Sequence, residues 1–213
     1  MIWFDFDLGI HFDDKLNWST HVQHVCNKVS KACGALAKLR HCVPVEILID
    51  FYNALLHSYL RYGAIVWSNA SITTLRPLEI LVNKAIRIIS FAPLGNVNLA
   101  HIYQDLNLLN LSKVHTLELG KFTYKEKWDL LPTEIGNYFP TDTNTTTHNY
   151  GTRNSSSSLS THSNMIIYRL QSSKKSTQFK SNSLWSSFDD DLKFSENLNI
   201  FKRKFKKQLI AEI

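Results

Sequence analysis

Between Ser19 and Arg40 the apolar residues Val22, Val25, Val29, Cys33 and Leu36 recur every three or four positions. That spacing draws one continuous stripe along an α-helix, and a helix with such a stripe must bury it against another element. Seven glycines and five prolines in 213 residues are few for a turn-rich all-β sandwich and favour long helices. Apolar residues at 44% and aromatics at 12% can fill a real core, which rules out wholesale disorder. The expectation is a mainly α chain, a helical bundle with a short N-terminal strand and a small C-terminal helical tail.

The strand is expected over residues 6–12, where Leu8, Ile10 and Phe12 alternate on one face. Pro44 suits the first turn of a second helix, continued by Ile47, Leu48, Phe51, Leu55, Tyr59 and Leu60 to about Arg61. Tyr62 to Trp67 lacks helical polarity and reads as a buried segment. A third helix is expected from Thr73 or Thr74, with Leu75, Leu78, Val82, Ala85 and Ile89 as its stripe and Pro77 near its start. Asn98 and Ser112 are expected caps for a short helix to Leu106 and a longer one toward Trp128, which Pro132 ends. Residues 141–164 are almost all Thr, Ser and Asn and read as a linker, since they bury too little apolar area to offset their ordering entropy. The chain would then divide into a helical body at 1–140, this linker, and a basic tail at 165–213. The tail holds a strand-like MIIYRL, a helix near Phe179 to Trp185, and a final helix with Leu198, Phe201, Phe205 and Leu209 on one side.

The net charge of +6 is unevenly distributed. Residues 1–14 hold four acids and no base, 15–100 nine bases against three acids, and 171–213 nine bases against five acids. A basic body with a basic tail suits a polyanion such as nucleic acid, although a charge of this size also serves solubility. No window approaches eighteen uninterrupted apolar residues, so no spanning helix and no membrane partner are expected. The opening MIWFDFDLG has two acids and no basic region, unlike a secretory signal. With three cysteines, an odd number, the expectation is reduced thiols inside a cell, in nucleus or cytoplasm.

Motif by motif, enzymatic chemistry finds little support. Asp13-Asp14 resembles the paired aspartates with which polymerases hold two metal ions, but His11 stands where an aromatic residue belongs and no third carboxylate strand precedes it. A solvated turn is the better reading. His21, His24, Cys26, Cys33, His41 and Cys42 include no CxxC and match no structural zinc spacing, and the cysteines on the helix stripe act as small hydrophobes. No GxSxG elbow and no glycine-rich phosphate loop occur. No catalytic residue and no cofactor are assigned. The KRKFKK run at 202–207 has three readings: an import signal, a phosphate-contacting helix, or a solvated face.

A colinear series of short matches gives the chain a further resemblance. It comprises Leu8-Gly9-Ile10 with Leu16-Asn17-Trp18 and His21; Gly34, Leu36, Leu39 and Arg40 before Pro44; and Tyr52, Leu60, Tyr62-Gly63 and Val66-Trp67. Leu78-Glu79 with Asn83-Lys84-Ala85-Ile86-Arg87-Ile88-Ile89 follows, then His148-Asn149-Tyr150, Thr152-Arg153, Leu184-Trp185, Phe201-Lys202 and Phe205-Lys206. The series resembles the region after the palm in reverse transcriptases of jockey-like non-LTR retrotransposons. It departs from that family at Val82, where glutamine is usual, and at Ser186-Ser187-Phe188-Asp189, where Asn-x-Leu-Pro is usual.

The resemblance implies a strand from the primer-grip hairpin, a helical thumb and a distal tail, belonging to an RNA-directed DNA polymerase of a transposable element. It implies a C-terminal fragment without the catalytic carboxylates, divalent metal serving only the full-length parent enzyme. The implied partners are RNA or an RNA–DNA template–primer, together with the parent's palm and fingers. A thumb grips the duplex backbone and needs cationic helix faces rather than a base-reading code. Candidate phosphate contacts are Lys28, Lys31, Lys38, Arg40, Lys84 and Arg87 in the body, and Lys202, Arg203, Lys204 and Lys206 in the tail. The alternative from another class is a helical protein-interaction or structural domain with no nucleic-acid role.

Overall fold

A short antiparallel hairpin precedes a succession of helices in the computed structural model, which describes residues 5–7, 9–93, 97–136 and 176–213. Strands β1 (Asp5–Asp7) and β2 (Ile10–Phe12) pair with Asp5 opposite Phe12 and Asp7 opposite Ile10. The strand expected over 6–12 is thus interrupted. Gly9 takes φ +82° in the turn, a conformation open to glycine and costly to other residues, and the chain reverses there.

Two compact units are present, residues 1–119 with 202–213, and residues 120–201. In the first, α1 (Ser19–Leu39) and α5 (Ile72–Ile89) form the main pairing. The Cys33 thiol reaches the Leu81 carbonyl at 3.6 Å, and the Arg40 guanidinium lies over the Phe91 ring at 4.3 Å. Contacts that advance in the same direction along both chains make the two helices parallel. All five residues of the α1 stripe are buried, as are Leu78, Val82, Ala85 and Ile89 of α5; Leu75 is only half-buried. Ser71 caps α5, its hydroxyl accepting from the Thr74 amide at 3.1 Å.

Between them, α2 (Val45–Phe51), a π-helical segment (Tyr52–Leu56) and α3 (His57–Arg61) run on as one stretch. Leu48, Tyr52, Leu56 and Leu60 carry its buried face. The widened turn breaks the simple 3.6-residue period and leaves Leu55 partly exposed. Gly63, at φ +59°, opens the short α4 (Ala64–Trp67). The YGAIVW segment is buried at Ala64 and Trp67 only, and Tyr62 and Val66 are exposed. Residues α6 (Leu99–Asp105) and α7 (Leu111–Lys127) follow. The α7 cap is Asn110, whose side-chain oxygen accepts from the Lys113 amide at 2.9 Å, in place of the expected Ser112.

Beyond α7 lies the short α8 (Thr133–Gly136), entered at Pro132. α11 (Leu198–Ala211) begins at the close of the second unit and belongs to the first from Lys202 on; α9 (Thr177–Ser187) and α10 (Asp190–Lys193) lie within the second unit. Tyr124, Phe188 and Phe201 form its aromatic core, with ring centroids 4.6 Å apart for Tyr124–Phe201 and 5.6 Å for Phe188–Phe201. The buried Glu126 carboxylate accepts from the Ser181 hydroxyl at 2.5 Å. On α11 Phe201, Phe205 and Leu209 are buried as their spacing requires, whereas Leu198 is half-buried. The linker assigned to 141–164 and the strand-like MIIYRL lie outside the described residues, as do the family-like His148-Asn149-Tyr150 and Thr152-Arg153.

Candidate nucleic-acid interface

The candidate cations of the body fall into distinct local settings. Lys28 is exposed on α1 with its ammonium 5.2 Å from the centroid of the Tyr59 ring of α3. Lys31 and Lys84 are exposed on α1 and α5. Lys38 and Arg40 sit at the C-terminal end of α1, and Arg87 in the last turn of α5. Because the two helices run parallel, these three charges gather where both helix dipoles present their negative ends. That placement has a structural reason of its own. The Nε atoms of Arg40 and Arg87 are buried and have no hydrogen-bond partner.

The tail cations differ from the expectation of a fully solvated row. On α11 only Arg203 and Lys207 are exposed, and Lys202, Lys204 and Lys206 are half-buried. Half-burial of the stem with the charged end toward water is a common use of long cationic side chains. Burial, followed by the charge on Lys202 one turn away, lowers the Lys206 ammonium below the usual lysine value.

Two residues not among the candidate cations belong with this row. His57 and Arg61 of α3 share the electrostatic environment of Lys202 and Lys206. The Arg61 Nε donates to the Glu118 carboxylate at 2.6 Å. Burial, and then the charge on Arg61, hold the His57 imidazole down at about 4, with further depression from Lys206 and Lys202 and opposition from Glu118. Arg61, Lys206 and Lys202 thus all disfavour the charged imidazole, and the Glu118 carboxylate alone favours it. The sequence signal for this was slight: His57 and Arg61 lie four apart, on one face of a helix.

A cleft of about 390 Å³ opens between α1, α3 and the hairpin turn, lined among others by His21, Lys28, Tyr59 and Tyr62. His21 is buried, and its Nδ1 accepts the His11 amide at 3.4 Å, so its proton sits on Nε2. That atom has no partner. Burial, then the nearby His11, His24 and Lys28, push His21 down to about 4.

The paired aspartates serve a turn. Asp13 accepts the Asn17 amide through Oδ1 at 2.6 Å and the Leu16 amide through its carbonyl at 3.0 Å, fixing the entry to α1. Among the described residues no group of three His, Cys, Asp or Glu side chains is placed to hold a metal ion. Cys26 and Cys33 are buried free thiols on the α1 core face, and Cys42 is exposed. Burial raises the first two above the ordinary thiol value, which makes them poor metal ligands and nucleophiles.

Among the described residues no helix is long and apolar enough to cross a membrane. No family model matches the chain, and no curated protein or solved structure matches it.

Proposed function

We propose that the chain is a non-catalytic nucleic-acid-binding segment that grips an RNA–DNA template–primer through its phosphates, as the tail end of a retroelement reverse transcriptase would. The observation that carries this reading is the half-burial of Lys202 and Lys206 on α11, whose positive field reaches His57 together with that of Arg61, against Glu118 as the opposing acid. Like charges held together on half-buried stems weaken the fold, and a polyanion relieves that repulsion. Backbone-directed binding needs no base-reading constellation. In this role the parent enzyme's palm supplies the divalent metal and the chemistry.

The test is a Lys202→Ala/Lys206→Ala double variant titrated against RNA–DNA hybrids of unrelated sequence. Affinity should fall by a similar factor for every hybrid, because phosphate contacts carry no sequence information. Unchanged affinity contradicts the reading.

A protein-interaction role is favoured by a different observation, the exposure of Ile72 at 84% and Ile80 at 59% on α5. A partner held by such residues binds through apolar area and is insensitive to salt.

A further inference from the structure

The cleft between α1, α3 and the hairpin turn has the chemistry of a planar, anionic ligand. Its volume, about 390 Å³, lies within the range of roughly 300–1,000 Å³ typical of small-molecule sites. Among the described residues its polar lining groups are Lys28, His21, His24, Ser58 and the two tyrosines. The Ser58 hydroxyl donates to the Leu55 carbonyl at 2.7 Å, so its oxygen remains an acceptor toward the cleft. The Tyr59 face carries the Lys28 ammonium, and Tyr62 is 54% exposed. The turn at Gly9 stands beside Tyr62, a Cβ there falling 3.6 Å from the Tyr62 ring, an ordinary contact. His21, also in the lining, has a buried Nε2 without a partner, a donor of the kind that native structures rarely leave unused.

Resting on the nucleic-acid reading above, we propose that this cleft is a subsite for one unpaired nucleotide at the end of a strand, its base stacked on Tyr62 and its phosphate at Lys28. A concave site of this size has room for a single base with its sugar and phosphate. Stacking on an aromatic ring tolerates any base, since every base has a π-face. A cation already held over the neighbouring ring neutralises the phosphate without having to be ordered on binding. The subsite adds end recognition to a grip that otherwise reads only backbone.

Fluorescence anisotropy against a blunt RNA–DNA hybrid, and against the same hybrid with one unpaired terminal nucleotide, tests the proposal, with adenosine 5′-monophosphate as competitor. The overhang should bind more tightly, by about 5- to 150-fold, and adenosine 5′-monophosphate should erase that advantage. Tyr62→Ala, at an exposed position, should remove the preference while leaving blunt-hybrid affinity unchanged. Lys28→Ala should weaken adenosine 5′-monophosphate binding. Equal affinity for the two hybrids, or a preference that survives Tyr62→Ala, overturns the subsite and leaves the backbone grip standing. Failure of the blunt hybrid to bind while adenosine 5′-monophosphate binds in a Tyr62-dependent way overturns the grip and leaves the subsite. Binding of none of the three overturns both.

Discussion

The Tyr124 hydroxyl donates a 2.6 Å hydrogen bond to the carbonyl of Ser195, tying the end of α7 to the segment just before α11. Both residues are buried, so water cannot replace the bond. Tyr124→Phe keeps the ring stacked on Phe201 and deletes the donor alone. Stability should fall by about 1–3 kcal/mol, the cost of an unsatisfied buried acceptor, read as a lower denaturant midpoint at unchanged slope. A change below a few tenths of a kcal/mol would show that the carbonyl finds another partner.

Gly63 joins a backbone conformation to a close approach. Its φ is +59°, and a Cβ built on it would lie 2.5 Å from the Cδ1 of Ile10. Gly63→Ala therefore meets left-handed strain and a clash with β2 together. A loss of about 1–3 kcal/mol is expected, and Ile10→Val should recover part of it by withdrawing that methyl group. Failure of Ile10→Val to recover any of the loss would assign the whole cost to the backbone.

His21 and His57 set a pH dependence. Each has an unfolded value near 6.5 and a folded value of about 4. Between those values the unfolded chain binds more protons, so stability is fully present above about pH 6.5 and declines as pH falls toward 4. Thermal melting across that window should show the decline, and His21→Phe should flatten it if the replacement folds. A midpoint that stays constant from pH 7 to pH 4.5 would contradict neutral burial of these rings.

Lys206 is the place where stability and binding should separate. Its ammonium is half-buried near Lys202 and lowered by both circumstances. Lys206→Met keeps the apolar stem and removes the charge, so it should leave stability unchanged or raise it by up to about 1 kcal/mol. The same change should weaken binding to an RNA–DNA hybrid. Loss of stability together with unchanged binding would assign this lysine to the fold alone.

Sequence periodicity located the α1 stripe because Val22, Val25, Val29, Cys33 and Leu36 all turn one helix face into the core, where α5 is the main partner. It erred on local detail where backbone hydrogen bonds decide. Asn110 rather than Ser112 caps α7, and the turn at Gly9 divides one expected strand into two. The π-helical turn at Tyr52–Leu56 leaves no periodic trace of its own. The candidate site was legible as charge but not as placement. A helical wheel separates Phe205 from Lys206, yet it cannot show that α3 brings His57 and Arg61 toward the lysine side. The cleft was equally hidden, since Gly9, Lys28 and Tyr62 converge only once the hairpin turn, α1 and α3 are placed.

If half-buried cations of α3 and α11 grip phosphates, hybrid binding must weaken steeply with salt. The logarithm of the association constant for an RNA–DNA hybrid should fall linearly with the logarithm of salt concentration, by about 0.9 for each phosphate neutralised. Lys202→Ala should reduce that slope by about one contact's worth, and Lys202→Ala/Lys206→Ala by about two. A slope near zero, or one that the double variant leaves unchanged, would contradict the account.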